Sequence, residues 1–346
     1  MKKLKIEDYK SVAADKLLIL ITNNKLKKII YFIIVICSLS FKKVYAQQLP
    51  YYSQFKSNNY MLNPAITGTK REVDARINYR MQWVGYDDAP RTSGISIHGR
   101  FLKGKMGAGI FMMQDKVGPA KQTNLGGSYA YHLKFPDCEL SAGAAANFTK
   151  YTLYGDKMIL HNLQDPAVDQ SINNSTWVSD ANAGIYLYND RFHVGFSILH
   201  LASSKAEFYK NDTTKKGLVP YVPHVHFTLG FNYSQNPDYI WESTLYANYV
   251  KGVPFMLDYT LRLHYQEQIF AGLSIRFKDA IAIHMGVTIL EYLQISYSYD
   301  LQIGRLKNYN SGSHEIMLVY SHNPFENPRF MRRGKRFLNQ RYGYLF

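Results

Sequence analysis

From Val73 to Gln82 the chain alternates without a break. Val73, Ala75, Ile77, Tyr79 and Met81 are apolar, whereas Asp74, Arg76, Asn78, Arg80 and Gln82 are polar or charged. A period of two marks a β-strand with two unlike faces. Twelve further stretches of this kind begin near Ile95, Met106, Leu125, Leu140, Val178, Phe192, His224, Tyr239, Phe255, Ile269, Ile281 and Leu293, and Glu315–Ser321 is the last. Many approach the roughly 9–11 residues that cross a bilayer as a tilted strand, whereas strands of soluble domains run to about five or six. The pattern therefore predicts an all-β chain, a transmembrane antiparallel β-barrel of about 14 strands. Its apolar face meets lipid and its polar face lines the lumen.

The connections fit that reading. Lys150–Thr176 and Ser203–Val222 are long and follow the fifth and seventh strands, whereas the turns after even-numbered strands are short. Long loops on one side and short turns on the other are usual in outer-membrane barrels, with both termini in the periplasm. Tyr, Phe and Trp make up 15% of the residues while mean hydropathy stays at -0.27. Amphipathic rings suit the two interfacial girdles of a barrel.

The chain's start supplies an export route. Lys25, Lys27 and Lys28 precede an apolar run, Ile29–Leu39, and Val44-Tyr45-Ala46 reads as a cleavage site. This eleven-residue run, apolar apart from Ser38, is too short for a membrane helix, which takes about 20. Cleavage after Ala46 is expected, with the mature chain in the outer membrane. Without residues 1–46, 31 basic residues face 23 acidic ones, and the formal charge falls from +15 to +8. That charge is spread along the strands rather than gathered on one face, which argues against nucleic acid. Cys138 is the one cysteine beyond the signal, so no intrachain disulfide is expected.

Chemistry is sparse. Ser96 and His98 share a strand face, as a barrel phospholipase would need, but that face is the polar one and no G-x-S-x-G elbow is present. His224 and His226 also share a face, about 7 Å apart, with no third ligand visible nearby. No catalytic residue, metal or cofactor is assigned. Glu72, Asp74, Arg76 and Arg80 of the first strand point inward, as do Asp258 and Arg262. Mixed signs predict ion pairs that brace or occlude the interior rather than a selectivity ring. On the same pattern, Asn78 should accept arginine more readily than the lipid-facing Ile77.

Several motifs carry a resemblance. Asn63-Pro64-Ala65 lies before the first strand, and YRMQWVGYDDAPRT spans Tyr79–Thr92. SYDL (Ser298–Leu301) and GSHEI (Gly312–Ile316) mark the last two strands. Together these resemble the PorP/SprF family of type IX secretion system outer-membrane proteins. The resemblance implies a non-enzymatic accessory of a secretion and gliding apparatus. Its implied partners are periplasmic ring or peptidoglycan-linked components and secreted proteins with C-terminal sorting domains, alongside outer-membrane lipid. A pore for small solutes is the alternative. Asn63, Pro64, Gln82, Trp83, Gly85, Ala89, Pro90, Arg91 and Thr92 are the motif positions expected to matter, with Arg91 bonding carbonyls or carboxylates such as Asp87 or Asp88.

Beyond Ser321 the chain departs from the family pattern with a basic extension. Arg332, Arg333 and Arg336 are its candidate partner-binding residues. Phe337–Phe346, ending in an aromatic residue, is a second candidate for the closing strand, but GSHEI favours Glu315–Ser321. The expected division is an N-terminal extension and signal over 1–46, a periplasmic segment over 47–72, the barrel over 73–321 and a basic periplasmic tail over 322–346.

Overall fold

The computed structural model describes residues 50–70, 72–101, 104–157, 173–208, 217–236, 238–290, 292–304 and 307–322. The signal segment, its cleavage site and the tail with Arg332, Arg333 and Arg336 lie outside the described residues. Among the described residues there are sixteen strands. The first six are β1 (Val73–Met81), β2 (Arg91–Phe101), β3 (Met106–Val117), β4 (Ala120–Lys134), β5 (Glu139–Tyr154) and β6 (Asn173–Tyr188). Then come β7 (Phe192–Leu199), β8 (Lys205–Phe208), β9 (Gly217–Pro220), β10 (His224–Asn236) and β11 (Tyr239–Val250). The chain continues with β12 (Met256–Tyr265), β13 (Ile269–Arg276), β14 (Ala280–Ile289), β15 (Leu293–Gln302) and β16 (Ser313–His322).

All but β8 and β9 form one closed antiparallel barrel, in which each strand pairs with its neighbours in sequence and β16 pairs with β1. That seam runs in register from Val73 opposite His322 to Met81 opposite His314. Glu315 and its neighbours therefore close the barrel. Closure leaves no strand edge, which hydrocarbon demands because it offers backbone groups no water. The burial pattern is inverted relative to a soluble domain. On β1, Ile77 is 52% exposed while Asp74 and Arg80 are fully buried, so the outer surface is apolar and the interior polar. No described helix is long and apolar enough to cross a membrane.

The barrel has two unlike ends. Both ends of its strand series, Val73 and His322, lie at the end with short turns, here called the terminal end. The other, the loop end, carries the longer connections. Three strands on that side are longer than their hydropathy suggests. β4 pairs with β5 as far as Ala120 opposite Leu153, and β5 with β6 as far as Tyr154 opposite Asn173. Lys150, Thr152 and Ser175 continue the ladder with polar side chains, so the apolar alternation stops before the hydrogen bonding does. Part of the seventh connection also folds. β8 and β9 form a separate hairpin, and Ala206 and Tyr221 bury themselves against Val178 of β6.

Candidate functional site

The interior is not an open lumen. The segment from Pro50 to Lys70 runs inside the ring of strands and bonds inward-facing residues around its circumference. The sequence reading placed residues 47–72 in the periplasm, and the described part of that segment is instead a plug. Its amide, hydroxyl and carbonyl groups match a polar barrel wall, and an unpaired wall would leave buried polar groups unsatisfied.

Near its middle, Asn63 caps a short 3-10 helix, Pro64–Ile66, by accepting from Ala65 N at 2.9 Å. Pro64 suits the first helical position because its missing N–H would be unpaired there. The Asn63 amide also donates to Ile185 O at 3.1 Å and Phe196 O at 3.4 Å, on β6 and β7. Ser141 of β5 donates to Ala65 O at 2.7 Å, and Ser197 of β7 donates to Leu62 O at 2.5 Å. The wall makes room with glycines. A Cβ on Gly184 would sit 2.1 Å from Asn63 Oδ1, and one on Gly143 would sit 2.5 Å from Ala65 N.

Toward the loop end, Ser53 and Gln54 enter a buried charge cluster. Arg80 of β1 reaches Asp300 of β15 at 2.8 Å and Glu315 of β16 at 3.2 Å, and all three side chains are fully buried. Arg80 also donates to Ser53 Oγ at 2.8 Å, which itself donates to Asp300. Glu315 accepts from Ser53 N at 2.8 Å, and the Gln54 amide donates to Glu315 O at 3.1 Å. Arg276 of β13 stacks over the Tyr51 ring at 3.7 Å, and Tyr51 donates to Asp258 of β12 at 2.6 Å. Arg80, Asp300 and Glu315 come from YRMQW, SYDL and GSHEI, so three motifs far apart in sequence meet at one point.

Lys56 pairs with Glu242 of β11 at 3.2 Å, and Phe55 stacks on Tyr246 with ring centroids 4.7 Å apart. At the terminal end, Arg100 of β2 donates to Gly68 O at 2.5 Å and Thr69 O at 3.3 Å, and pairs with Glu139 at 2.9 Å. Lys70 reaches Asp74 at 2.6 Å. Between Pro50, Phe55, His226 and Asn248 a cavity of about 20 Å³ remains, room for about one water molecule.

The loop motif sits on the seam. Gln82 N donates to Pro90 O at 3.0 Å and Trp83 N to Ser313 Oγ at 3.1 Å. Val84 N donates to Gly312 O at 2.8 Å, and Ser311 N returns a bond to Val84 O at 2.7 Å. The first and last loops of the barrel are thus tied across its closure. Gly85 takes a φ of 92°, a conformation glycine adopts freely. Ala89 N bonds back to Tyr86 O at 3.4 Å, Pro90 is buried, and Thr92 donates to Asp115 at 2.6 Å. Arg91 is exposed, and no ion pair to Asp87 or Asp88 is formed. The expected fork to those carboxylates is therefore not made.

Ser96 and His98 do not pair, and the His224 and His226 rings stack 6.1 Å apart. His98 accepts from Gly68 N at 3.2 Å, so it serves the plug rather than Ser96. His226 bonds the Tyr246 hydroxyl at 2.7 Å. Among the described residues no three His, Cys, Asp or Glu side chains are arranged to hold a metal ion. Sequence reasoning missed the plug. Its signal was the run of polar Ser53, Gln54, Asn58 and Asn63, without alternation, ahead of the first strand.

An antiparallel barrel with an apolar outside and an interior filled by its own leading segment is a plugged outer-membrane barrel. The chain belongs to the PorP/SprF family of type IX secretion system membrane proteins, whose model matches residues 44–320. None of the curated proteins matches it. Among solved structures it is similar to the toluene transporter TodX of Pseudomonas putida, at 10% identity and a TM-score of 0.45, covering 79% of this chain and 95% of that one. The monoaromatic hydrocarbon channel CymD gives 12% identity and a TM-score of 0.46, covering 77% and 93%. The outer membrane protein Omp33 of Acinetobacter baumannii gives 10% and 0.40, covering 73% and 99%.

Proposed function

We propose that this protein is a non-enzymatic, closed accessory of the type IX secretion system. In this reading it links periplasmic ring or peptidoglycan-linked components to the export or anchoring of surface proteins with C-terminal sorting domains, in support of gliding. The observation that carries the reading is the plug, because a segment hydrogen-bonded to the wall from one end of the lumen to the other opposes an open aqueous path. The terminal end then faces the periplasm, where short turns and the tail lie close to the machinery. Arg332, Arg333 and Arg336 suit an acidic partner, since a guanidinium grips carboxylates in pairs. A signal cleaved after Ala46 delivers the chain to this membrane.

Two measurements test this. Mild detergent extraction should co-purify a periplasmic secretion component, and deleting Asn323–Phe346 should weaken that association at moderate salt while the barrel still assembles. In planar bilayers the intact protein should show little conductance. Steady ion currents from the plugged protein would favour the solute-pore reading instead.

A further inference from the structure

The plug has a direction. Its earliest anchors, Tyr51 and Ser53, bond Asp258, Asp300, Arg80 and Arg276. Each of those residues lies within three positions of the loop end of its strand. Its latest anchors, Gly68 and Lys70, bond Arg100 and Asp74, each second from the terminal end of its strand. The chain therefore traverses the lumen from the loop end to the terminal end before turning back into β1. A leader that simply hung from β1 would leave its first residues at the terminal end.

From these anchors we infer that the segment is a through-lumen strap whose amino-terminal side opens to the outside of the cell. Pro50 already lies in the loop half, beside Asn248 two residues from the end of β11. A chain cleaved after Ala46, as proposed above, would begin three residues before Pro50. That end is then available to an exported protein arriving on the outer face and closed to periplasmic components. This step rests on the proposed orientation, with the terminal end in the periplasm.

The test needs no secretion activity, so it stands or fails separately from the proposed function. An eight-residue epitope inserted between Gln48 and Leu49 is probed with antibody on intact and on permeabilised cells. The same epitope between Pro136 and Asp137, in the β4–β5 turn at the terminal end, is the comparison. The strap epitope should be detected on intact cells and the turn epitope only after permeabilisation. Detection of the strap epitope only after permeabilisation, or in neither condition, in a barrel that keeps its heat-modifiable gel mobility would overturn the inference. Detection of the turn epitope on intact cells would overturn the orientation. If the insertion prevents folding, Pro50→Cys in a Cys138→Ser background is labelled with a membrane-impermeant maleimide and compared with native Cys138 in the β4–β5 turn. Labelling on intact cells at least tenfold faster at position 50 is expected, and equal or slower labelling overturns the inference.

Discussion

Asn63 stands against Gly184 with no space for a side chain between them: a Cβ on the glycine would lie 2.1 Å from Asn63 Oδ1. The plug and the wall are thus fitted to each other at the Asn-Pro-Ala motif.

Gly184→Ala should therefore push the capped turn off the wall. Overpacking of this kind costs about 1–3 kcal/mol. Gly127 on β4 has nothing within 4 Å of a built Cβ, so Gly127→Ala should be neutral. The urea midpoint of heat-modifiable gel mobility separates the two, and equal midpoints would show that the fit is not needed.

Arg80→Met should destabilise strongly, because Asp300 and Glu315 are fully buried beside it. Removing one partner of a buried ionic cluster costs about 3–5 kcal/mol, whereas replacing the whole cluster is far milder. Arg80→Met with Asp300→Asn and Glu315→Gln should recover much of the loss in the same assay. A triple variant no better than Arg80→Met would assign the effect to lost packing instead.

Ile77 and Asn78 face opposite ways, and both should now resist arginine. Ile77→Arg places a charge in lipid, at a cost of about 2–4 kcal/mol near the midplane. Asn78 is buried and bonded by Asn58 of the plug at 3.3 Å, so Asn78→Arg displaces the strap. Deleting residues 50–69 should rescue assembly of the Asn78 variant and leave the Ile77 variant unrescued. Rescue of both would contradict the assigned faces.

Arg91→Ala should leave barrel stability within about 0.5 kcal/mol of the parent, as exposed substitutions usually do. Thr92→Val removes the buried bond to Asp115 and should cost roughly 1 kcal/mol. If Arg91→Ala impairs secretion with the barrel intact, its guanidinium contacts a partner. A fall in the unfolding midpoint would give it a structural role instead.

The strand count was legible because a barrel writes one face for lipid and the other for the lumen in every spanning segment. Val73–Met81 shows this most plainly, and Glu315 marked the closing strand through GSHEI. The ends were harder to place where both faces meet water, as at Lys150 and Ser175, because hydropathy no longer alternates there. The plug was not legible by periodicity. Ser53, Gln54 and Asn63 bond partners up to 262 residues away, and no local pattern encodes such contacts. Asn63-Pro64-Ala65 announced itself as a motif, but its partners Gly143 and Gly184 look like ordinary strand glycines until the strands are placed side by side.

The pocket that holds Ser53 and Gln54 draws on both extremes of the barrel. Arg80 belongs to the first strand, and Glu315 and Asp300 to the last two. Until β16 reaches β1, the strap has half a socket and Glu315 lacks its ion-pair partner. Sealing the barrel therefore completes the strap's socket, and a chain truncated before Glu315 lacks both the seam and that socket.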